Sequence, residues 1–140
     1  MGAKRMVNEV QKFTKITFAV HLIIGAIFTI LYWIPDISGP LLLVSYTSTA
    51  GALSMIIGSA TLGLTVSSLF GCLAKEWKEV KLIVITEIVW LVAALIAIIA
   101  NFTVFQVGMG AFTMIIVIAM IAIFLLTYLQ QEEIIGELIK

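Results

Sequence analysis

Two proton-exchanging side chains lie deep inside apolar runs, each at the same distance from a lysine. His21, the single histidine, follows Lys15 by six residues, and Glu87 follows Lys81 by six. At a helical rise of about 1.5 Å per residue, each sits ~9 Å inside the boundary its lysine marks. An ionised carboxylate at that depth is unfavourable unless paired, solvated or protonated, so an acid there carries a functional expectation. Imidazole suits it as a partner, because it donates or accepts a proton near neutral pH.

Counting inward from the same side along the other apolar runs brings Ser67 or Ser68 and Thr127 to this level. The expectation is a polar layer of His21, Ser67 or Ser68, Glu87 and Thr127, in which hydroxyls occupy the spare lone pairs of an imidazole–carboxylate pair. Such a layer has two roles to choose between. It can fix helix register as a satisfied polar cluster, which is the leading expectation. It can instead bind and release a proton, because burial disfavours the charged carboxylate and imidazole titrates near neutrality. A third arrangement pairs Glu87 with a cation on another chain.

Helical spacing assigns faces to the elements that carry these groups. Around His21, the positions Thr14, Thr17, Gly25, Thr29 and Tyr32 recur at steps of three or four. Around Glu87 the corresponding stripe is Trp90, Ala94, Ala97 and Asn101, with Ile88, Val92, Leu95 and Ile99 elsewhere. The small-and-polar stripes are expected to face a bundle interior and the aliphatic ones lipid.

Charge distribution identifies the solvent. Ile16 to Pro35, Ile37 to Ala74 and Ile88 to Gln131 contain no charged residue, and the last gap has room for two spans. A bilayer core of ~30 Å needs ~20 apolar helical residues. The apolar fraction of 62% exceeds the share of about half found in soluble domains. Mean hydropathy is +1.21. The fold expected is therefore all-α: an integral membrane, four-helix transmembrane bundle forming one domain over residues 1–140. Its spans cover about 15–34, 46–73, 82–102 and 111–129.

Pro35 to Pro40 reads as a tight external turn after Tyr32 and Trp33. The apolar stretch Leu41 to Ala74 would reach ~50 Å as one helix, so either it tilts or Leu41 to Ser45 lies in the interface. Lys75 to Lys81 reads as the inner connection, with Trp77 at headgroup level. The tail 130–140 reads as a continuation of the last helix, with Ile134, Ile135, Leu138 and Ile139 on one side.

Eight cations balance eight anions, which leaves no net field to attract nucleic acid. Lys4, Arg5, Lys12 and Lys15 precede the first span; Lys75, Lys78 and Lys81 separate the second from the third; Lys140 ends the chain. The positive-inside rule places both termini and the middle loop in the cytoplasm, with the cell membrane as the expected location. The segment Ile16 to Ile34 is longer than a secretory h-region of about 7–15 residues, so the first span is expected to stay uncleaved. Met6 in place of Ser or Thr argues against myristoylation at Gly2.

Gly51, Ser59, Gly63, Ser67 and Gly71 give the second span a small-residue pattern, the last four at intervals of four. Small residues let another helix backbone approach, so this pattern is expected to serve packing against a neighbouring span or another subunit. Cys72 excludes an internal disulfide and is expected to be a small contact residue rather than an acylation site. No His, Cys, Asp and Glu set has metal spacing, and one histidine cannot provide both axial ligands of a haem, so no cofactor is expected. Asn101-Phe102-Thr103 matches the glycosylation triplet but lies too close to the membrane for use.

Gly71-Cys72-Leu73-Ala74-Lys75-Glu76 with Glu87-Ile88 resembles the inner loop and third span of tetraspanins, but without their cysteine-rich outer loop. A small-residue helix followed by one bearing an acid is also similar to a proteolipid rotor hairpin, although Glu87 lies nearer the helix end and glycines are sparse. No functional residue carries over from either family. The leading functional expectation is a non-catalytic accessory or organising subunit, partnered by the bilayer and by other transmembrane helices. The alternative is a proton-coupled small transporter or channel, acting as an oligomer with Glu87 as the proton-binding group.

Overall fold

A computed structural model describes residues 9–133, all of whose regular elements are helical. In chain order they are α1 (Lys12–Trp33), the short α2 (Pro35–Leu42), α3 (Ser48–Leu73), α4 (Trp77–Ala100), a 3-10 turn (Phe102–Val104) and α5 (Val107–Gln131). The four long helices are each long and apolar enough to cross a membrane. Only 22–28% of their most apolar windows is buried within the chain, so the aliphatic surface faces outward. Ile23, Ile56, Val89 and Ile115 are among the exposed residues. Such a surface suits oil as the surrounding medium.

Local chemistry sets the helix ends. Pro35 disfavours helical geometry at Ile34, which ends α1 and places Pro35 at the start of α2. The expected turn at Pro35–Pro40 is thus a short helix. Leu43 to Tyr46 then lies outside any helix, and Thr47 caps α3 by accepting from the Ala50 amide at 3.2 Å. One long helix from Leu41 therefore does not form: the chain leaves helix at Leu43 and re-enters it at Ser48. Glu76 and Glu79 form a capping box at the start of α4. That box draws Lys78 and Lys81 into the first turns of α4, where a loop was expected. Beyond Gln131 the helix does not run on: Glu133 has φ 59°, a left-handed conformation that breaks the helical hydrogen-bond series. The expected tail stripe at Ile134, Ile135, Leu138 and Ile139 lies outside the described residues.

Packing is pairwise. α1 lies mainly against α3 and α4 against α5, with narrower seams joining the pairs. At one end, called terminal here, Glu9 and Val10 meet the α3–α4 turn, and the Val10 amide donates to Lys75 O at 3.0 Å. At the distal end, the Val44 amide donates to Val104 O at 3.0 Å and the Gln106 amide to Leu42 O at 2.9 Å. Phe18, Val80, Val84 and Phe124 fill the terminal half of the core.

Candidate functional site

One face of α1 carries the polar side chains inward. Thr14, Thr17, His21, Gly25 and Thr29 are all buried along it, at the three-and-four spacing of a helix. Gly25 permits the approach of α3, since a Cβ there would overlap the Thr65 hydroxyl. This close seam puts Ser68 against His21: the Ser68 hydroxyl and His21 Nδ1 share a hydrogen bond of 2.6 Å. The other ring nitrogen, Nε2, lies 3.6 Å from Glu87 Oε2. Glu87 is 0% exposed, and its second oxygen lies 3.2 Å from Ser67 Oγ, whose one hydrogen it shares with Leu64 O at 2.7 Å. Phe124 of α5 packs edge-on against His21, with ring centroids 5.2 Å apart, and against Phe18 at 5.8 Å.

Glu87 Oε2 is the one buried side-chain nitrogen or oxygen, among the described residues, that lacks a hydrogen-bond partner. It faces the imidazole from just beyond hydrogen-bond range. The pair can hold one proton in two ways, on the carboxyl or on the imidazole, with the same net charge. Removing that proton leaves a buried carboxylate, and adding a second leaves a buried imidazolium. Either change alters the charge in a medium that screens it weakly. The site thus has the groups needed to bind and release a proton.

The structure brings together His21, Ser67, Ser68 and Glu87. Both serines take part, one on each titratable group, where the sequence left a choice between them. Thr127 is buried but belongs to the layer below. Its hydroxyl is 2.8 Å from that of Thr17, and no hydrogen bond joins it to Glu87 or His21. Nearer the terminal end, Gln131 Oε1 accepts from Thr14 Oγ1 at 2.9 Å and from the Gln11 amide at 3.2 Å, while its Nε2 donates to Glu9 O at 2.8 Å. Polar layers therefore climb from the chain ends to Glu87. Sequence reasoning missed Gln131, although its position one turn beyond Thr127 placed it on the same face.

The packing residues separate similarly. Gly51 and Gly71 are buried, with Gly71 under the Phe18 ring and Gly51 beside Tyr46. Ser59 and Gly63 face outward, and nothing lies within 4 Å of a Cβ built on Gly63. The buried face of α3 runs instead through Gly51, Gly58, Thr65, Ser68 and Gly71. On α4 the packed side is Val80, Val84, Glu87, Leu91 and Ile98, so the expected bundle-facing stripe is displaced around the helix.

Trp90, Ala94, Ala97 and Asn101 line a cavity of ≈ 590 Å³ between the helix pairs. Phe28 and Tyr32 of α1, Ile57 and Thr61 of α3, and Val117 and Met120 of α5 contribute further walls. His21 lies at the terminal end of the cavity, which reaches Val104 and Phe105 at the other. No protein-family model, curated protein or solved structure matches the chain.

Proposed function

We propose that the protein is a small proton-coupled membrane transporter or channel, acting as an oligomer, with Glu87 as its proton-binding group and His21 as modulator. The observation that carries this reading is the open oxygen of a fully buried Glu87, 3.6 Å from His21 Nε2 beside a cavity. A purely structural pin gains nothing from an orphaned acceptor, which costs about 1–3 kcal/mol when buried. A shift of about half an ångström would bring the two groups within hydrogen-bond range. Such a position suits a proton that arrives and leaves.

The surroundings support the reading. From α3, Ser67 and Ser68 face the pair; from α5, Phe124 does, with Thr127 one layer below. None of these is charged, and the nearby Lys81 is engaged with Glu132 at 2.8 Å. The pair's protonation therefore depends on its own two members and on what enters the cavity. Polar layers approach from the terminal side and the cavity from the other, as a gated path requires. In this reading both chain ends lie in the cytoplasm and the protein resides in the cell membrane, following its lysines and arginine.

The test uses purified protein in liposomes holding a pH-sensitive dye. Under an imposed potential, the wild-type chain should acidify the lumen and Glu87→Gln should reduce the flux to that of empty vesicles. His21→Gln should shift the pH dependence and leave flux measurable. Silence of the wild type over a wide pH range would sink the proposal.

A second reading, a non-catalytic accessory subunit of a membrane complex, is favoured by the outward Ser59 and Gly63, which leave room for a foreign helix. It requires stoichiometric partner chains after detergent extraction, their loss in Gly63→Ile, and no effect of Glu87→Gln.

A further inference from the structure

We propose that the cavity beside His21 binds a membrane-soluble amine: an apolar, ring-sized body carrying one protonated nitrogen. This rests on the transport reading for its purpose, because it names what the proton would be exchanged for, but the binding site stands on its own geometry.

Size and access come first. A volume of ≈ 590 Å³ falls within the range of about 300–1,000 Å³ typical of small-molecule sites. Leu53 and Ile57 on α3, and Trp90 and Ala97 on α4, are exposed where they border the cavity. All four lie inside helices apolar enough to span a membrane, so the opening between α3 and α4 faces hydrocarbon rather than water. A molecule that reaches it dissolves in lipid first.

Charge complementarity then selects the class. The cavity lining contains no lysine or arginine, whereas Glu87, buried outside the lining, stands 3.6 Å from the lining residue His21 with an oxygen that accepts no hydrogen bond. The threonine hydroxyls of the lining lean the same way. Thr61 donates its hydroxyl hydrogen to Ile57 O at 2.9 Å and Thr113 to Met109 O at 2.8 Å. Asn101 directs its amide nitrogen to Ala97 O at 2.9 Å. Thr61 and Thr113 thereby leave oxygen lone pairs to a guest, while Asn101 keeps its side-chain oxygen and one amide hydrogen. Tyr32, near the distal end, and the Trp90 indole N–H can still donate. With no lysine or arginine in the lining to neutralise it, a carboxylate guest matches this set less well than an ammonium. The rings of Phe28, Tyr32, Trp90 and Phe105 add π faces that attract a cation. An ammonium at the cavity floor meets the imidazole edge, with the carboxylate beneath it, in a medium that strengthens the attraction. Protonating Glu87 removes the attracting charge, so a proton and the amine compete for one site. No covalent bond forms or breaks.

The test uses the full chain in lipid nanodiscs with three probes that share one body: 1-pyrenemethylamine, 1-pyrenemethanol and 1-pyrenecarboxylate. Energy transfer from tryptophan to pyrene reports proximity, and empty nanodiscs give the partition background. The amine should show saturable transfer about tenfold tighter than the alcohol, equivalent to ~1.4 kcal/mol, with the carboxylate weakest. Glu87→Gln should bring the amine to the alcohol's affinity while alcohol binding persists, which also demonstrates that the variant is folded. Ala97→Phe, which fills the cavity, should weaken amine and alcohol together. Equal affinity of the three probes, preference for the carboxylate, or absence of a saturable component would overturn the proposal. Amine binding without Glu87-dependent proton flux in liposomes leaves the site standing and removes the transport reading. Flux without amine binding does the reverse.

Discussion

Glu132 closes the terminal rim by accepting from Trp77 Nε1 at 2.5 Å and pairing with Lys81 at 2.8 Å. Lys81 Nζ also stands 5.6 Å from the centre of the Tyr128 ring. The hydrogen bonds from Lys81 and Trp77 hold the Glu132 carboxyl below its ordinary value of 4.5. A lowered value in the folded protein means that the unfolded chain takes up this proton first as pH falls. The stabilisation is complete above the ordinary carboxylate value and is lost as pH drops through the lowered one. Thermal melts in detergent should therefore show an acid loss of stability for the wild type that is smaller in Glu132→Gln. An identical acid loss in both would remove Glu132 from this role. That His21 and Glu87 share a level was legible in the sequence, because each is the same count from its lysine. Partner identity was not: Ser67 and Ser68 differ by about 100° around α3, and only that helix's rotation gives one to Glu87 and the other to His21.

Among the elements, α3 shows where a sequence pattern and a contact surface diverge. Residues repeating every four positions drift about 40° per step around a helix of 3.6 residues per turn. Ser59, Gly63, Ser67 and Gly71 consequently wind across the surface, and α1 meets the stripe at Gly71 while Ser59 and Gly63 turn outward. A seam between two rods keeps to steps of about 3.5 residues or their multiples, as Gly51, Gly58, Thr65 and Ser68 do at intervals of seven, seven and three. Gly71→Ile should therefore press on Phe18 and destabilise the fold by about 1–3 kcal/mol, read as a lower melting temperature in detergent. Gly63→Ile should melt near the wild type, since the space around it is open. A reversed order would mean that the seam is misplaced. α4 differs from expectation by a similar rotation: its small-and-polar stripe borders the cavity, and the adjoining sector with Val84 and Leu91 takes the packed position.

Over the whole molecule, two helix pairs are joined at the terminal end through the core and at the distal end through loop backbone bonds, with the cavity between them. If both ends are cytoplasmic, Ser45→Cys in a Cys72→Ala background should react with an impermeant maleimide on intact cells. Glu9→Cys should react only after permeabilisation, and the opposite pattern would invert the orientation. The sequence alone determined the number of long apolar helices, the apolar exterior and the shared level of His21 and Glu87, since these follow from hydropathy, charge position and a fixed rise per residue. Tertiary structure alone decided how far each helix turns about its axis and how closely the pairs approach. Those two quantities set which hydroxyl meets which titratable group, which glycines are covered, and whether a void remains. They depend on the fit of side chains from distant parts of the chain, which no single helical period encodes.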